Sequence, residues 1–392
     1  MSYVPYPANT ESGFTIDGSR RSSSRTTLFD GKILNAENTN RWDTKGTGTA
    51  TYNVNNGIDL NVTAGQYLVR QSKFFTPYFS GKPQQIESTS FNFQNQANVI
   101  KRIGYFSSNA VAPYNSNKDG VWLEADGTTY RLICSNNGVE THNIPWTSWD
   151  AYSSISTYDW SKFTVTEIDF LWLGGAGLRL FLVVDGVFKL VHTIKNHAGF
   201  ATQTIFKSPQ QPTRYEIRST TGTGTLTSVC SQVSSEGGKD EQGEGVTITN
   251  YSKDANVVGT NYLICAARKT SAHRDRTITL DYMALGITGA TSDSGVVMLC
   301  LNPTFSATPT WTANSRLEEA TPTNAGEITV TNLGRVLRSF PIVSSSTVNP
   351  GPLAALKTLG MDIDNTPGVL ALVYRPTTAT QVVTGSMMFL EY

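Results

Sequence analysis

Residues 164–217 constrain the fold more than any other part of the chain, because apolar residues there recur at every second position between glycines. Val165, Ile168, Phe170, Trp172 and Leu173 make one apolar run, which Gly174, Gly175 and Gly177 interrupt. Leu178, Leu180, Leu182 and Val184 then alternate with Arg179, Phe181, Val183 and Asp185, a period of two that belongs to a strand with one buried face. Asp185 and Gly186 separate this run from the next, and both tolerate the positive φ of a two-residue hairpin turn. Beyond the turn, alternation places Val187, Lys189, Val191 and Thr193 on one face and Phe188, Leu190 and His192 on the other. A Pro-rich loop at 208–212 leads into a further strand at 214–218. The block reads as the centre of an antiparallel sheet.

The remaining chain repeats this pattern. Its 392 residues suffice for two domains with cores of their own. With 33 glycines and only 16% charged residues, the composition suits many short strands joined by polar turns. Residues 50–54 and 58–62 read as a hairpin around Asn55, Asn56 and Gly57, and residues 67–75 and 99–106 as strands. Residues 120–134 form two strands around Asp126-Gly127, and Asn136, Asn137 and Gly138 a tight turn. Residues 144–160, with Trp146, Trp149, Tyr152, Tyr158 and Trp160, read as an aromatic loop. The expected fold is all-β: an N-terminal arm (1–27), a concanavalin-like jelly-roll β-sandwich (28–233), a charged Gly-rich linker (234–245) and a second, smaller β-sandwich (246–392). Residues 353–359 are the one short helix expected.

Thirty-one basic and thirty-one acidic residues cancel, so net charge offers no basis for nucleic acid or an anionic membrane as partner. No apolar run approaches the ~20 residues that span a bilayer. The N-terminal residues lack the basic start and apolar core of a signal peptide, so a soluble protein made without a conventional secretion signal is expected. Cys134, Cys230, Cys265 and Cys300 are far apart and lie in or beside apolar runs. Free buried thiols are the expectation, with a Cys134–Cys230 bridge as the alternative. No cofactor and no metal are expected. The glycines at 174–177 lie in a strand pattern with no helix after them, and His142, His192, His197 and His273 are not at ligand spacing.

Four groups of residues could carry function. Glu167 and Asp169 resemble the start of the laminarinase-type (family 16) glycoside hydrolase signature, as nucleophile and helper. That resemblance implies an acid/base carboxylate at position 171 or 172, where the chain has Leu171 and Trp172. Two carboxyls of different role are needed to flank the bond. No catalytic residue is therefore assigned, and Glu167 and Asp169 are expected on a solvated sheet face. Asn115, Asn117, Asp119 and Asp126 imitate the spacing of a calcium loop, but residues 121–125 continue as a strand, which favours a polar turn. Trp146, Trp149 and Trp160 are candidates for a glycan-stacking platform, with core packing as the other reading. In the arm, Tyr3, Tyr6, Phe14 and Ile16 are candidate anchors on a neighbouring subunit.

Read in order, several short motifs form a longer pattern. They are Trp122, Glu124, Asp126 and Gly127, then Trp149-Asp150, then the run 168–174, then 184–187. Val191-His192, Asn196-His197, residues 212–217 and residues 230–237 follow. This order over residues 28–240 is similar to a family of virion structural proteins of tailed bacteriophages. The resemblance implies a non-enzymatic head-fibre, decoration, collar or tail component, assembled in the host bacterial cytoplasm and resident in the virion. It implies copies of itself and other virion proteins as partners, with a trimer by analogy alone. A carbohydrate-binding adhesin or lectin module contacting a host-surface glycan is the alternative, and a laminarinase-like hydrolase a more distant one.

Overall fold

The computed structural model describes residues 24–33, 36–53, 57–172, 177–195, 204–237, 243–288, 293–322, 328–343 and 358–392. The chain divides into two compact units, Met1–Asp240 and Glu241–Tyr392. The candidate arm anchors Tyr3, Tyr6, Phe14 and Ile16 lie outside the described residues, as does most of the expected helix at 353–359.

The first unit runs through β1 (Arg25–Asp30), β2 (Trp42–Gly46), β3 (Thr49–Asn53), β4 (Gly57–Val62), β5 (Tyr67–Ser72), β6 (Gln84–Phe91), β7 (Val99–Ser107), β8 (Asp119–Ala125), β9 (Tyr130–Asn136) and β10 (Val139–Pro145). It continues through a short helix α1 (Tyr152–Ile155), β11 (Thr164–Phe170), β12 (Leu178–Val184), β13 (Val187–Ile194), β14 (Thr213–Ser219) and β15 (Gly224–Glu236). One sheet has the order β13-β12-β11-β6-β15-β4-β3, with β1 also on β15, and the other β10-β9-β8-β7-β14-β5-β2. Every strand pair is antiparallel, and the inward residues of both sheets meet in one core. Ile86, Ile168, Leu180 and Leu226 come from one side, and Ile103, Leu123, Leu132 and Ile217 from the other. This is a jelly-roll β-sandwich, as the strand count and alternation imply.

The hairpin at the centre of the sequence pattern forms β12 and β13, with Asp185 at φ 53° and Gly186 at φ 78°. Its strict alternation does not hold throughout. Leu180 pairs with His192 and Phe181 with Leu190, so Val191 is an extra residue in a bulge and turns inward beside Ile194. Two boundaries also move, and one strand is added. β1 begins at Arg25, inside the expected arm, and β15 continues to Glu236, inside the expected linker. β10 is an edge strand whose polar sequence carried no period-two signal. The four cysteines are free thiols. Cys134 points into the core from β9, while Cys230 donates to the Thr89 hydroxyl on β6.

The second unit contains β16 (Glu244–Ala255), β17 (Tyr262–Lys269), β18 (Ile278–Thr288), β19 (Ser294–Leu301), β20 (Thr304–Phe305), β21 (Thr312–Asn314), β22 (Leu317–Ala320), β23 (Val330–Asn332), β24 (Arg335–Val343), β25 (Val369–Pro376) and β26 (Gln381–Glu391). A three-stranded sheet, β16-β26-β18, packs on a six-stranded one, β21-β22-β17-β25-β19-β24. The other face of the six-stranded sheet is apolar too. Leu263, Ala266, Met298, Cys300, Ala371 and Val373 there meet Val330, and partly buried Phe305 and Trp311 pack against them. This is why residues 369–374 read as an unbroken apolar run: a strand covered on both faces needs no alternation. No helix among the described residues is long and apolar enough to cross a membrane.

Candidate functional site

The outward face of the seven-stranded sheet carries the densest charge in the first unit. In β14 the period of two sends Tyr215 and Ile217 into the core and Arg214, Glu216 and Arg218 outward. Across the sheet, Glu216 stands opposite Arg102 on β7, Arg102 opposite Glu124 on β8, and Glu124 opposite Arg131 on β9. Alternating charge therefore crosses four strands in one row, the arrangement in which cross-strand pairs attract. Arg102 Nε donates to Glu124 Oε2 at 2.6 Å and its Nη1 to Glu216 Oε1 at 2.6 Å. Arg214 reaches Glu216 Oε2 through Nη2 at 2.8 Å and Nε at 3.2 Å, and Arg218 Nε donates to Glu216 Oε1.

Glu216 is fully buried, which by itself would raise its pKa. Arg102, Arg214 and Arg218 outweigh that burial and hold its carboxyl well below the usual carboxylate range. Residues 108–118 form a strap over this face. Arg214 Nη2 donates to the Tyr114 carbonyl at 2.7 Å, Arg218 Nη2 to those of Pro113 and Tyr114 at 2.5 and 3.2 Å, and Arg102 Nη1 to Asn115 Oδ1 at 3.4 Å. Aromatic rings back the guanidiniums: Arg218 lies 5.2 Å from the Tyr67 ring centroid and Arg214 5.1 Å from that of Phe106.

The carboxylates of the hydrolase-like signature lie on the outward face of the other sheet. They are not solvated, in contrast to the expectation, because arginines close over them. Asp169 is fully buried and bonded by Arg179 through Nε, at 3.0 Å, and Nη2. Glu167 is also buried, and its partner across the ladder is Glu87 on β6. Arg25 Nη1 lies 2.9 Å from Glu87 Oε1 and 3.5 Å from Glu167 Oε2, so a guanidinium sits between the two carboxylates. Leu171 is buried, and Trp172 Nε1 donates to the Phe206 carbonyl.

The tryptophans do not form an exposed platform. Trp149 and Trp160 are 3% and 2% exposed and belong to the core. Trp160 stacks on Tyr130 at 4.5 Å, and half-buried Trp146 packs edge-on against Tyr130 at 5.1 Å. The region 144–160 closes one end of the sandwich, and that need for cover explains its aromatic content. The calcium-like spacing resolves into a turn and a latch. Asp126 Oδ1 accepts the amides of Thr128 and Thr129, while Asn115 Oδ1 faces Arg102 and Lys118, both cations. No group of three or more metal-binding side chains comes together among the described residues.

Gln71, Arg102, Arg214, Glu216 and Arg218 were not singled out by the sequence reading. The signal was present: an Arg-x-Glu-x-Arg alternation on a strand whose intervening residues are apolar. No family model matches the chain, and no curated protein matches it. Among solved structures, the Emp47p carbohydrate recognition domain aligns with TM-score 0.36 at 12% identity, over 55% of this chain and 98% of that one. A β-glucanase of Bacillus licheniformis aligns with TM-score 0.35 at 12% identity, over 53% and 98%. A legume lectin-like domain from Entamoeba histolytica aligns with TM-score 0.31 at 10% identity, over 53% and 97%. Likenesses of this size decide neither ligand nor chemistry.

Proposed function

We propose that the chain acts by binding and not by catalysis, as a carbohydrate-recognising adhesin module of the kind a bacteriophage particle displays. The observation that carries this reading is the state of its polar side chains on two rigid sheet faces. Glu87, Glu124, Glu167, Asp169 and Glu216 each pair with an arginine, which leaves none of them placed for proton transfer or nucleophilic attack. On the seven-stranded sheet, planar groups are held in a fixed array beside aromatic rings, a combination suited to hydroxyl-rich ligands. The test is a screen of the purified full chain against bacterial surface polysaccharides. Saturable binding without release of product is expected; release of reducing ends, or no binding to any glycan, overturns the reading.

A second reading, a structural part of the virion joined to its neighbours through the N-terminal segment, rests on the sequence resemblance. β1 itself lies on β15 of the same chain, from Arg25 opposite Glu236 to Asp30 opposite Gln232, with Phe29 buried against Trp42, so any contact with a neighbour falls to the residues before it. Solution mass of the full chain beside residues 24–392 tests it. A defined oligomer that falls to monomer on truncation supports this reading, and monomers in both cases remove it.

A further inference from the structure

We infer that the outward face of the seven-stranded sheet holds an oxyanion site, centred on Arg214 between Gln71 and Trp122, for a ligand bearing a carboxylate or sulfate group. The inference rests on the reading of this face as a ligand surface and adds the chemical class of what it takes.

Three observations carry it. The first is charge. Arg102, Arg214, Arg218 and Lys118 share this part of the face with Glu216, Glu124 and Asp43, the last standing opposite Gln71 on β2, so the surplus of cations over carboxylates is narrow. Arg131 adds no free charge, because its Nε donates to Asp126 Oδ2 at 2.8 Å. The surplus is felt at Lys118, whose ammonium is pushed down to about 7 by burial and by the three arginines, against the opposing pull of Glu216.

The second is the kind of group left without a partner. Gln71 stands opposite Arg214 on β5, and its Oε1 accepts from Arg214 Nη1 at 2.9 Å. The amide is therefore held within the cluster, yet its Nε2 has no hydrogen-bond partner although Gln71 is completely buried. In the same row, Arg214 pairs with Gly104 and Gly104 with Trp122, whose Nε1 is also buried and without a partner. Both groups are N–H donors. A buried donor without an acceptor is costly, and an anion with several oxygens can accept from more than one donor.

The third is what the arginines now hold. Three of their bonds go to the carbonyls of Pro113 and Tyr114 in the strap, which are neutral acceptors standing where anion oxygens fit. Val111, Ala112 and Pro113 are exposed to solvent, whereas Tyr114 is buried with its ring against Tyr67, so a ligand takes these places by lifting Tyr114 from that contact. Exchanging a neutral carbonyl for a charged oxygen adds ionic attraction and allows the paired geometry that a guanidinium offers an oxyanion.

The test titrates the full chain with sodium sulfate, inorganic phosphate, a uronate-bearing oligosaccharide and a neutral oligosaccharide at matched ionic strength, read by calorimetry. The expected result is saturable binding of an oxyanion, weakened at least tenfold in Gln71→Leu and in Trp122→Phe and unchanged in Arg131→Gln. Circular dichroism and thermal midpoints show that each variant is folded. Binding of the uronate sugar well above sulfate and phosphate identifies an acidic saccharide as the source of the anion. Equal binding of the free ions identifies a small-anion site. Absence of saturable oxyanion binding, or binding that both variants leave intact, overturns the inference. If the neutral sugar alone binds, this inference fails while the proposed function stands.

Discussion

The seven-stranded sheet of the first unit and the six-stranded sheet of the second both bury their outward faces, and they do so with opposite chemistry. The first fills its face with guanidiniums, carboxylates and a strap of backbone carbonyls. The second uses Leu263, Met298, Cys300 and Val373 under a small ribbon of β20 and β23. Apolar cover is non-directional and tolerates sliding, and each large side chain contributes about 1.5–3 kcal/mol. Charged cover pays desolvation first and returns it only when every partner is in place. The difference teaches that the second face is built for cohesion, whereas the first is specified residue by residue.

The largest effect expected from breaking this comparison is at Glu216. Glu216→Ala leaves Arg102, Arg214 and Arg218 buried around a missing anion and should cost the first unit about 3–5 kcal/mol in chemical denaturation. A loss below about 1 kcal/mol would mean the arginines do not depend on it. The same residue sets an acid limit. Its folded pKa is depressed, so its stabilisation is present above the ordinary carboxylate value and is lost as pH falls below it toward the folded value. Glu216→Ala should therefore also flatten stability against pH below about 4.

On the apolar side, Leu263→Ala should cost the second unit about 2–5 kcal/mol, through lost transfer energy and a cavity. Salt does not separate the two faces. Both variants are buried, so raising ionic strength should rescue neither, in contrast to an exposed pair.

A pH response of the same sign, displaced to the alkaline side, is expected from Lys269 in the second unit. Its Nζ donates to the Arg274 carbonyl at 2.6 Å, and burial pushes its ammonium down to about 7, with Asp275 opposing and Arg274 adding to the fall. An unfolded lysine titrates near ~10.4, so between these values the unfolded chain binds more protons than the folded one. Stability should rise as pH climbs from about 7 toward ~10, and Lys269→Met should flatten that rise. Denaturant midpoints between pH 6.5 and 9.5, approximately, decide it; an unchanged slope in the variant removes Lys269 as the cause.

The sequence shows cohesion more plainly than specification. Asp185-Gly186, the alternation at 178–184 and the apolar run at 369–374 report backbone twist and burial, which are local, and the sandwiches follow from them. The charge row did not show, because Arg102, Glu124 and Glu216 become neighbours only through strand pairing between residues up to 114 apart. The tryptophans of 144–160 misled for a related reason: an aromatic cluster in a polar loop looks the same whether it caps a core or faces a ligand. Glu167 and Asp169 were legible as a pair on one strand face, yet Arg25, which lies between Glu167 and Glu87, comes from a segment placed in the arm.

The smallest effect belongs to the end of the charge row, and it is the sharpest check on how the row is built. Arg131 is one strand beyond Glu124, with a third of its side chain exposed, and pairs with Asp126 in the turn below. Asp126 already accepts the amides of Thr128 and Thr129, and these bonds overcome its partial burial to hold the carboxyl down to about 2. The turn therefore keeps its anion anchored when Arg131 is removed. Arg131→Ala should cost less than about 1 kcal/mol, with most of that loss screened away by salt. A cost near that of Glu216→Ala would mean that charge couples along the whole row, so that the outward face behaves as one network. A small, salt-sensitive cost instead confines the tightly coupled charges to Arg102, Arg214, Glu216 and Arg218 and leaves the edge free to vary.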